Sequence, residues 1–208
     1  MTPKRIAFFG SSSIYGTADD EAGGFVNRFR LWYESIDNRH RVYNLGIWGE
    51  QTRSLIDRIA PEAARRRPHL IMVYPGFNDC RRQGFAEAPN AVPLPRFREA
   101  MQELISNAQA ITETVVMTGY PFDESRTSPY LDTDSHYLLR DAEDYSSALV
   151  AVARRCQAGV LDLFTQLQCV DMNSLLAPDG LHCNAQGHEK LCVLTKDYFR
   201  AAYGLKAF

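Results

Sequence analysis

Two short stretches near opposite ends of the chain carry side chains that could do chemistry together. Ser11-Ser12-Ser13 offers a hydroxyl on a tight turn behind an apolar run, and Asp179-Gly180-Leu181-His182 offers a carboxylate and an imidazole three residues apart. A serine hydroxyl is a poor nucleophile near neutrality and needs a base to take its proton. Imidazole titrates nearest to neutrality and can be that base. A carboxylate against its second ring nitrogen fixes the tautomer and stabilises the imidazolium as it forms. Ser12, His182 and Asp179 are therefore the candidate nucleophile, base and orienting acid. Taken alone, Asp179-Gly180 is a turn dipeptide and His182 an ordinary loop histidine. Their combination with the elements between them is what points to catalysis.

Attack on a carbonyl develops an oxyanion, which needs hydrogen-bond donors. Three candidates stand at useful places: the Ser12 backbone N–H, the Gly49 N–H in Gly46-Ile47-Trp48-Gly49, and the Asn78 amide in Gly76-Phe77-Asn78-Asp79. Glycine lets the backbone approach a substrate closely and adopt positive φ. Asn78 ahead of Asp79 equally suits a turn or a helix cap. Asp79 reads as a brace for that loop. Competing motifs fail on spacing. Gly10 and Gly16 enclose five residues with no lysine after them, so they do not form a phosphate-binding loop. Ile14 stands where a GxSxG nucleophile elbow needs glycine. Cys183 is a poor alternative nucleophile, because sequence neighbours seldom point at each other. His182, His188 and Glu189 lack a third ligand at convincing spacing, so no metal is assigned.

The elements that must position these residues alternate between strand and helix patterns. Strands read over Arg5–Gly10, Arg41–Leu45, Leu70–Tyr74, Val115–Thr118 and Val160–Leu163. Helices read over Gly24–Ser35, Thr52–Arg67, Phe97–Ile111, Ser135–Arg155 and Ala185–Tyr203, with Pro61 breaking or kinking the second of them or starting a new one. The proline-rich stretch Phe85–Pro95 and the acidic stretch Tyr120–Asp134 read as irregular, either as a rim or lid or as inert surface loops. Strict alternation predicts a mostly parallel sheet with helices on both faces. In such sheets ligands bind beyond the carboxyl ends of the strands. Ser12, Gly49, Asn78, Asp179 and His182 all follow strands on that one edge, whereas random polar residues would fall on both.

Composition narrows the partners. The 208 residues suit a single domain over 1–208, with no repeat, linker or low-complexity tract. A net charge of −2 exerts no general pull on nucleic acid or anionic membranes. Arg65-Arg66-Arg67 reads as favourable charge at a helix C-terminus. No apolar run approaches the ~20 residues of a membrane span. Ile6-Ala7-Phe8-Phe9 is too short for a signal-peptide core, which predicts a cytoplasmic protein. Five scattered cysteines without a CxxC pair argue against a disulfide framework and a structural zinc site.

The ordered constellation resembles the SGNH/GDSL hydrolases, a superfamily of esterases, lipases and thioesterases. Its four blocks correspond to Phe9-Gly10-Ser11-Ser12-Ser13, Asn44-Leu45-Gly46-Ile47-Trp48-Gly49, Gly76-Phe77-Asn78-Asp79 and Asp179-Gly180-Leu181-His182. The resemblance implies an α/β fold: a flavodoxin-like three-layer α/β/α sandwich on a five-stranded parallel sheet, with no cofactor. It implies Ser12, Asp179 and His182 as the triad, with Ser12, Gly49 and Asn78 as the oxyanion site. The substrate it implies is a small acyl ester or thioester. A carbohydrate O-acetylesterase and a lysophospholipase would use the same triad. One departure stands in the first block, where the usual Gly-Asp-Ser-Leu reads Gly10-Ser11-Ser12-Ser13. Ser11 is the one hint of a catalytically silent binder on the same fold, and the other site residues argue against that reading. Tyr15, Trp48 and Phe77 adjoin site positions, either as pocket walls or as packing. Arg81 and Arg82 follow the third block, either facing an anionic group or as solvated charges.

Overall fold

The run Ile6-Ala7-Phe8-Phe9 has no polar face to offer water, so its strand must be covered on both sides. In a computed structural model describing residues 2–205, it forms β1 (Arg5–Gly10) at the heart of a parallel sheet. Met1 and residues 206–208, which the single-domain reading includes, lie outside the described residues. β1 pairs with β2 (Arg41–Gly46) on one side and β3 (Leu70–Tyr74) on the other. β5 (Glu113–Met117) and β7 (Gly159–Leu161) extend the sheet to five strands in the order β2-β1-β3-β5-β7.

Alternate residues of β1 face opposite layers. Ile6 and Phe8 join a core with α2 (Phe25–Ile36) and α9 (Ala185–Tyr203), through residues such as Phe29 and Phe199. Ala7 and Phe9 join a second core with α3 (Thr52–Arg66), α5 (Leu94–Gln109) and α7 (Leu139–Arg155). This is the three-layer, flavodoxin-like sandwich that the sequence predicts. The chain reverses its winding between β1 and β3, so the loops after these two strands open into one crevice. Short helices α1 (Ser12–Tyr15) and α4 (Phe77–Cys80) start there. α6 (Glu124–Thr127) and α8 (Leu163–Leu167) lie in later connections. Among the described residues no helix is long and apolar enough to cross a membrane.

The structure corrects four sequence expectations. Pro61 neither breaks nor restarts α3. Pro61 and Asp57, whose carbonyl loses its partner, both face solvent, while Leu55, Ile56, Ile59 and Ala63 bury the opposite stripe. The unpaired carbonyl lies on the solvent side, where it need not be satisfied by the protein, and apolar burial holds the helix together. The helix expected from Ser135 begins at Leu139, because Ser135–His136 is β6, antiparallel to β4 (Arg82–Gln83). Strand five ends at Leu161, since Asp162 accepts the Thr165 N–H and so caps α8. α5 starts at Leu94 and not Phe97, with Pro95 tolerated in its first turn.

Candidate active site

Ser12 opens α1, immediately beyond β1. Its Oγ lies 2.8 Å from His182 Nε2, across 170 positions of sequence. The neighbouring serines are placed differently. Ser13 is buried, with its hydroxyl 3.2 Å from Tyr120 Oη, and Ser11 is buried at the cap position of α1. The end of β2 presses directly on this turn. A Cβ on Gly46 would stand 2.1 Å from the Tyr15 backbone nitrogen, so only glycine lets the two loops meet.

Asp179 and His182 share one turn. Asp179 Oδ1 accepts the N–H groups of Leu181 and His182, both at 3.0 Å, which shapes the loop. Asp179 Oδ2 lies 2.6 Å from His182 Nδ1 and accepts the Tyr130 hydroxyl at 3.1 Å. Burial pushes the Asp179 carboxyl up, but the hydrogen bonds from the His182 ring and from the His182 and Leu181 amides outweigh it and hold it at about 2. An ionised carboxylate only accepts, so Nδ1 of the neutral ring carries the proton. Nε2 is then the acceptor, and the Ser12 hydroxyl donates to it. That arrangement can pull a proton from an attacking hydroxyl.

Gly49 takes φ +70°, with open space where a Cβ would stand. Among the described residues, the Ser12 and Gly49 N–H groups have no acceptor. The Asn78 amide is fixed at both ends: Nδ2 donates to the Glu50 carbonyl at 3.0 Å and Oδ1 accepts the Tyr137 hydroxyl at 3.3 Å. Its second N–H is left for the cavity. Gln51 Nε2 donates back to the Asn78 carbonyl at 3.0 Å, so the two loops hold each other. Glu50 is buried and paired to Arg58 of α3, which also donates to the Leu45 carbonyl at 2.6 Å.

Asp79 accepts the Thr52 N–H and hydroxyl, each at 3.0 Å, and so caps α3 from another loop. Burial is the larger influence and raises its carboxyl from 3.8 to about 6 despite these bonds. The folded state therefore keeps this proton to higher pH than the unfolded chain. The associated stability is complete below about 4 and is lost as pH rises to about 6, ~3 kcal/mol in all. In urea titrations, Asp79→Asn should gain on the wild type by up to that amount between pH 4 and 7. A pH-independent difference between the two proteins would refute the assignment.

These groups surround a cavity of about 150 Å³ lined by Ser12, Gly49, Asn78 and His182, with Trp48 and Phe77 as apolar walls. The Trp48 ring lies nearly parallel to His182, 6.4 Å between centroids. Tyr15 does not line the cavity; it meets Trp48 edge-on at 6.4 Å. A larger hollow of about 330 Å³ beside α7 and α8, lined by Glu143, Arg154 and Gln168, brings together no serine, histidine and acid among the described residues. Sequence reasoning missed Tyr130 and Tyr137, which hold Asp179 and Asn78 from the stretch between β5 and α7. No fixed spacing ties them to the four blocks, and nothing local sets them apart from Tyr120 and Phe122 in the same stretch. That stretch is thus no inert loop. Phe85–Pro95 is likewise tied to the site loop, through Val92 N–H to the Asp79 carbonyl at 2.9 Å and Asn90 Nδ2 to the Cys80 carbonyl at 2.7 Å.

Known proteins share this architecture. The GDSL esterase/lipase CPRD49 of Arabidopsis thaliana is 28% identical over 194 residues, covering 88% of this chain and 73% of that protein. A second Arabidopsis GDSL esterase/lipase, At5g45920, is 25% identical over 204 residues, covering 91% and 83%. Among solved structures, a lipase/acylhydrolase from Enterococcus faecalis superposes with a TM-score of 0.77 at 20% identity, covering 98% of this chain and 100% of that one. A catalytic mutant of Axe2, an acetylxylan esterase from Geobacillus stearothermophilus, gives 0.74 at 16% identity over 94% of each chain. At such identities the superpositions speak to the fold. Residues 8–190 match the GDSL-like lipase/acylhydrolase family, a span from β1 into α9 that contains every block described above. This protein belongs to that family and is a carboxylic ester hydrolase.

Proposed function

We propose that the protein hydrolyses esters or thioesters of short acyl groups through a Ser12-His182-Asp179 triad and an acyl-enzyme. The observation that carries this reading is the continuous relay from Ser12 Oγ through the His182 ring to Asp179, at 2.8 and 2.6 Å, opening on the cavity. Ser12 Oγ bonds to the acyl carbon while His182 Nε2 takes the hydroxyl proton. The carbonyl π electrons move onto oxygen, which rests on the Ser12 and Gly49 N–H groups and the free N–H of Asn78. When the carbonyl re-forms, the ester C–O or thioester C–S bond breaks and His182 returns the proton to the departing alcohol or thiol. Water repeats the cycle on the acyl-enzyme, losing a proton to His182, and the acid leaves as Ser12 regains its hydrogen.

The cavity is small beside the ~300–1,000 Å³ of drug-sized ligand sites. Across p-nitrophenyl esters of two to twelve carbons, kcat/KM should peak at two to four and fall beyond six. A peak at eight or more would contradict the short-acyl reading. Fluorophosphonate labelling with peptide mass spectrometry tests the nucleophile, with the expected adduct on Ser12. An adduct elsewhere, or none on a folded and active sample, would remove the triad reading.

A carbohydrate leaving group is the second reading. Trp48 lines the cavity beside Ser12 and is 64% exposed, an indole of the kind on which a sugar ring stacks. Faster release of acetate from acetylated xylo-oligosaccharides than from ethyl acetate would support it.

A further inference from the structure

Arg81 and Arg82 are adjacent and chemically alike, yet the fold treats them in opposite ways. Arg82 is consumed internally. Its guanidinium grips Asp141 with Nε at 2.6 Å and Nη2 at 2.8 Å, and donates to the Ala88 carbonyl at 2.7 Å. Arg81 points to the other side of the loop and lines the cavity that holds Ser12, Gly49 and Asn78. Among the described residues it has no carboxylate partner, and its Nε is shut off from solvent without an acceptor.

The cavity wall around it holds no acid. Asp179 stands behind His182, with its oxygens already taken by the imidazole, Tyr130 and two backbone N–H groups. The polar groups near Arg81 are uncharged, and Tyr137 can offer it only the lone pairs of a neutral hydroxyl. The Tyr137 hydroxyl donates to Asn78, and Tyr130 donates to Asp179. Burial raises the Tyr137 hydroxyl, while the positive charge of Arg81 and a hydrogen bond from it oppose that rise, so the guanidinium lies against this wall with a neutral hydroxyl and no anion to meet it. A half-buried guanidinium with an orphan N–H is costly unless an acceptor arrives with the ligand. Its planar fork of donors suits an oxyanion of carboxylate or phosphate geometry.

We infer that the preferred substrate is an anionic ester, carrying a carboxylate or phosphate near the scissile carbonyl, and that Arg81 is the residue selecting for it. This rests on the hydrolase reading of the same site. Charge selection is separable from turnover, because one is a ratio between substrates and the other a rate.

The test compares charged and neutral partners of matched size. 4-Nitrophenyl hydrogen succinate against 4-nitrophenyl butyrate places the charge on the acyl side. 4-Acetoxybenzoate against its methyl ester places it on the leaving group. The wild type should favour the anion in at least one pair by about 10- to 100-fold in kcat/KM, the range expected of one charge-assisted contact. Arg81→Gln should bring that ratio to about one, and Arg81→Lys should leave it between the two. The pair that responds says which side of the ester carries the charge. A ratio near one in the wild type, or one unchanged by Arg81→Gln, would overturn the inference whether or not the variant is fully stable.

Calorimetric titration with 4-acetamidobenzoate and phenyl phosphate, which present the oxyanion without a scissile carboxylic ester, separates the two readings. Binding to the wild type but not to Arg81→Gln, with no ester turned over, would sink the triad proposal and uphold anion selection. Turnover of the neutral esters with a ratio near one and no binding of either compound would do the reverse.

Discussion

Replacing Ser12 with alanine should lower kcat on a short p-nitrophenyl ester by four to six orders of magnitude while leaving the fold intact. The change deletes one hydroxyl that bonds only to His182, at a partly exposed position. It removes no core contact, so the thermal midpoint should move by no more than a few degrees. The kinetic loss is large because the nucleophile, base and acid act as a unit. Some acceleration over water should survive, since the Ser12 and Gly49 amides and Asn78 still face the cavity and can bind an oxyanion. Active-site titration with a fluorophosphonate should give no adduct on this variant. Turnover above one per cent of wild type, checked against contamination, would mean that another group attacks.

Asp179→Asn should cost about 10³- to 10⁴-fold, although its shape is nearly unchanged. The reason lies in the tautomer. Asp179 accepts from His182 Nδ1–H at 2.6 Å, which leaves Nε2 as the acceptor for Ser12. An asparagine can turn its NH₂ towards Nδ1 and favour the opposite tautomer, with the ring proton facing the serine. The amide oxygen can still accept from Leu181 and His182, so the loop should keep its turn. The carboxyl sits at about 2 in the folded protein against 3.8 ordinarily. Its contribution to stability is therefore full above about 4 and is lost as pH falls through about 2. Mildly acid pH therefore leaves Asp179 ionised and still able to accept from the His182 ring. A variant within tenfold of wild type across pH 6–8 would show that Asp179 orients nothing of consequence.

How much of this was legible in the sequence follows from the range of the interactions involved. The strand Leu70–Tyr74 and the helix Ala185–Tyr203 read correctly to the residue, because burial on both faces and a capping Asn184 leave local signals. The four blocks could be placed on one edge because parallel topology sends every strand end to the same side. The break or restart that Pro61 allowed is absent because a local rule met a solvent-facing turn. Ser135–His136 misled because Tyr137 and Leu138 prolong the helical pattern, while pairing with Arg82–Gln83 is invisible without the fold. Tyr130 and Tyr137 escaped for the same reason: what each holds lies 49 and 59 positions away. Arg81 and Arg82 could not be told apart in sequence, since only Asp141, contributed by α7, distinguishes them.

Asp179 and His182, the proposed acid and base, sit on one turn, so their mutual geometry is local. The distance from Ser12 to His182, by contrast, is closed across 170 positions of sequence. The last strand of the sheet ends at Leu161, before either Asp179 or His182 has been made. A growing chain can therefore complete its sheet from the N-terminal side and still be chemically inert. The Ser12 hydroxyl meets the imidazole proposed as its base only when the segment after Leu161 closes over it. In the proposed mechanism, the order of residues along the chain thus holds back ester cleavage until the segment that follows the sheet has folded.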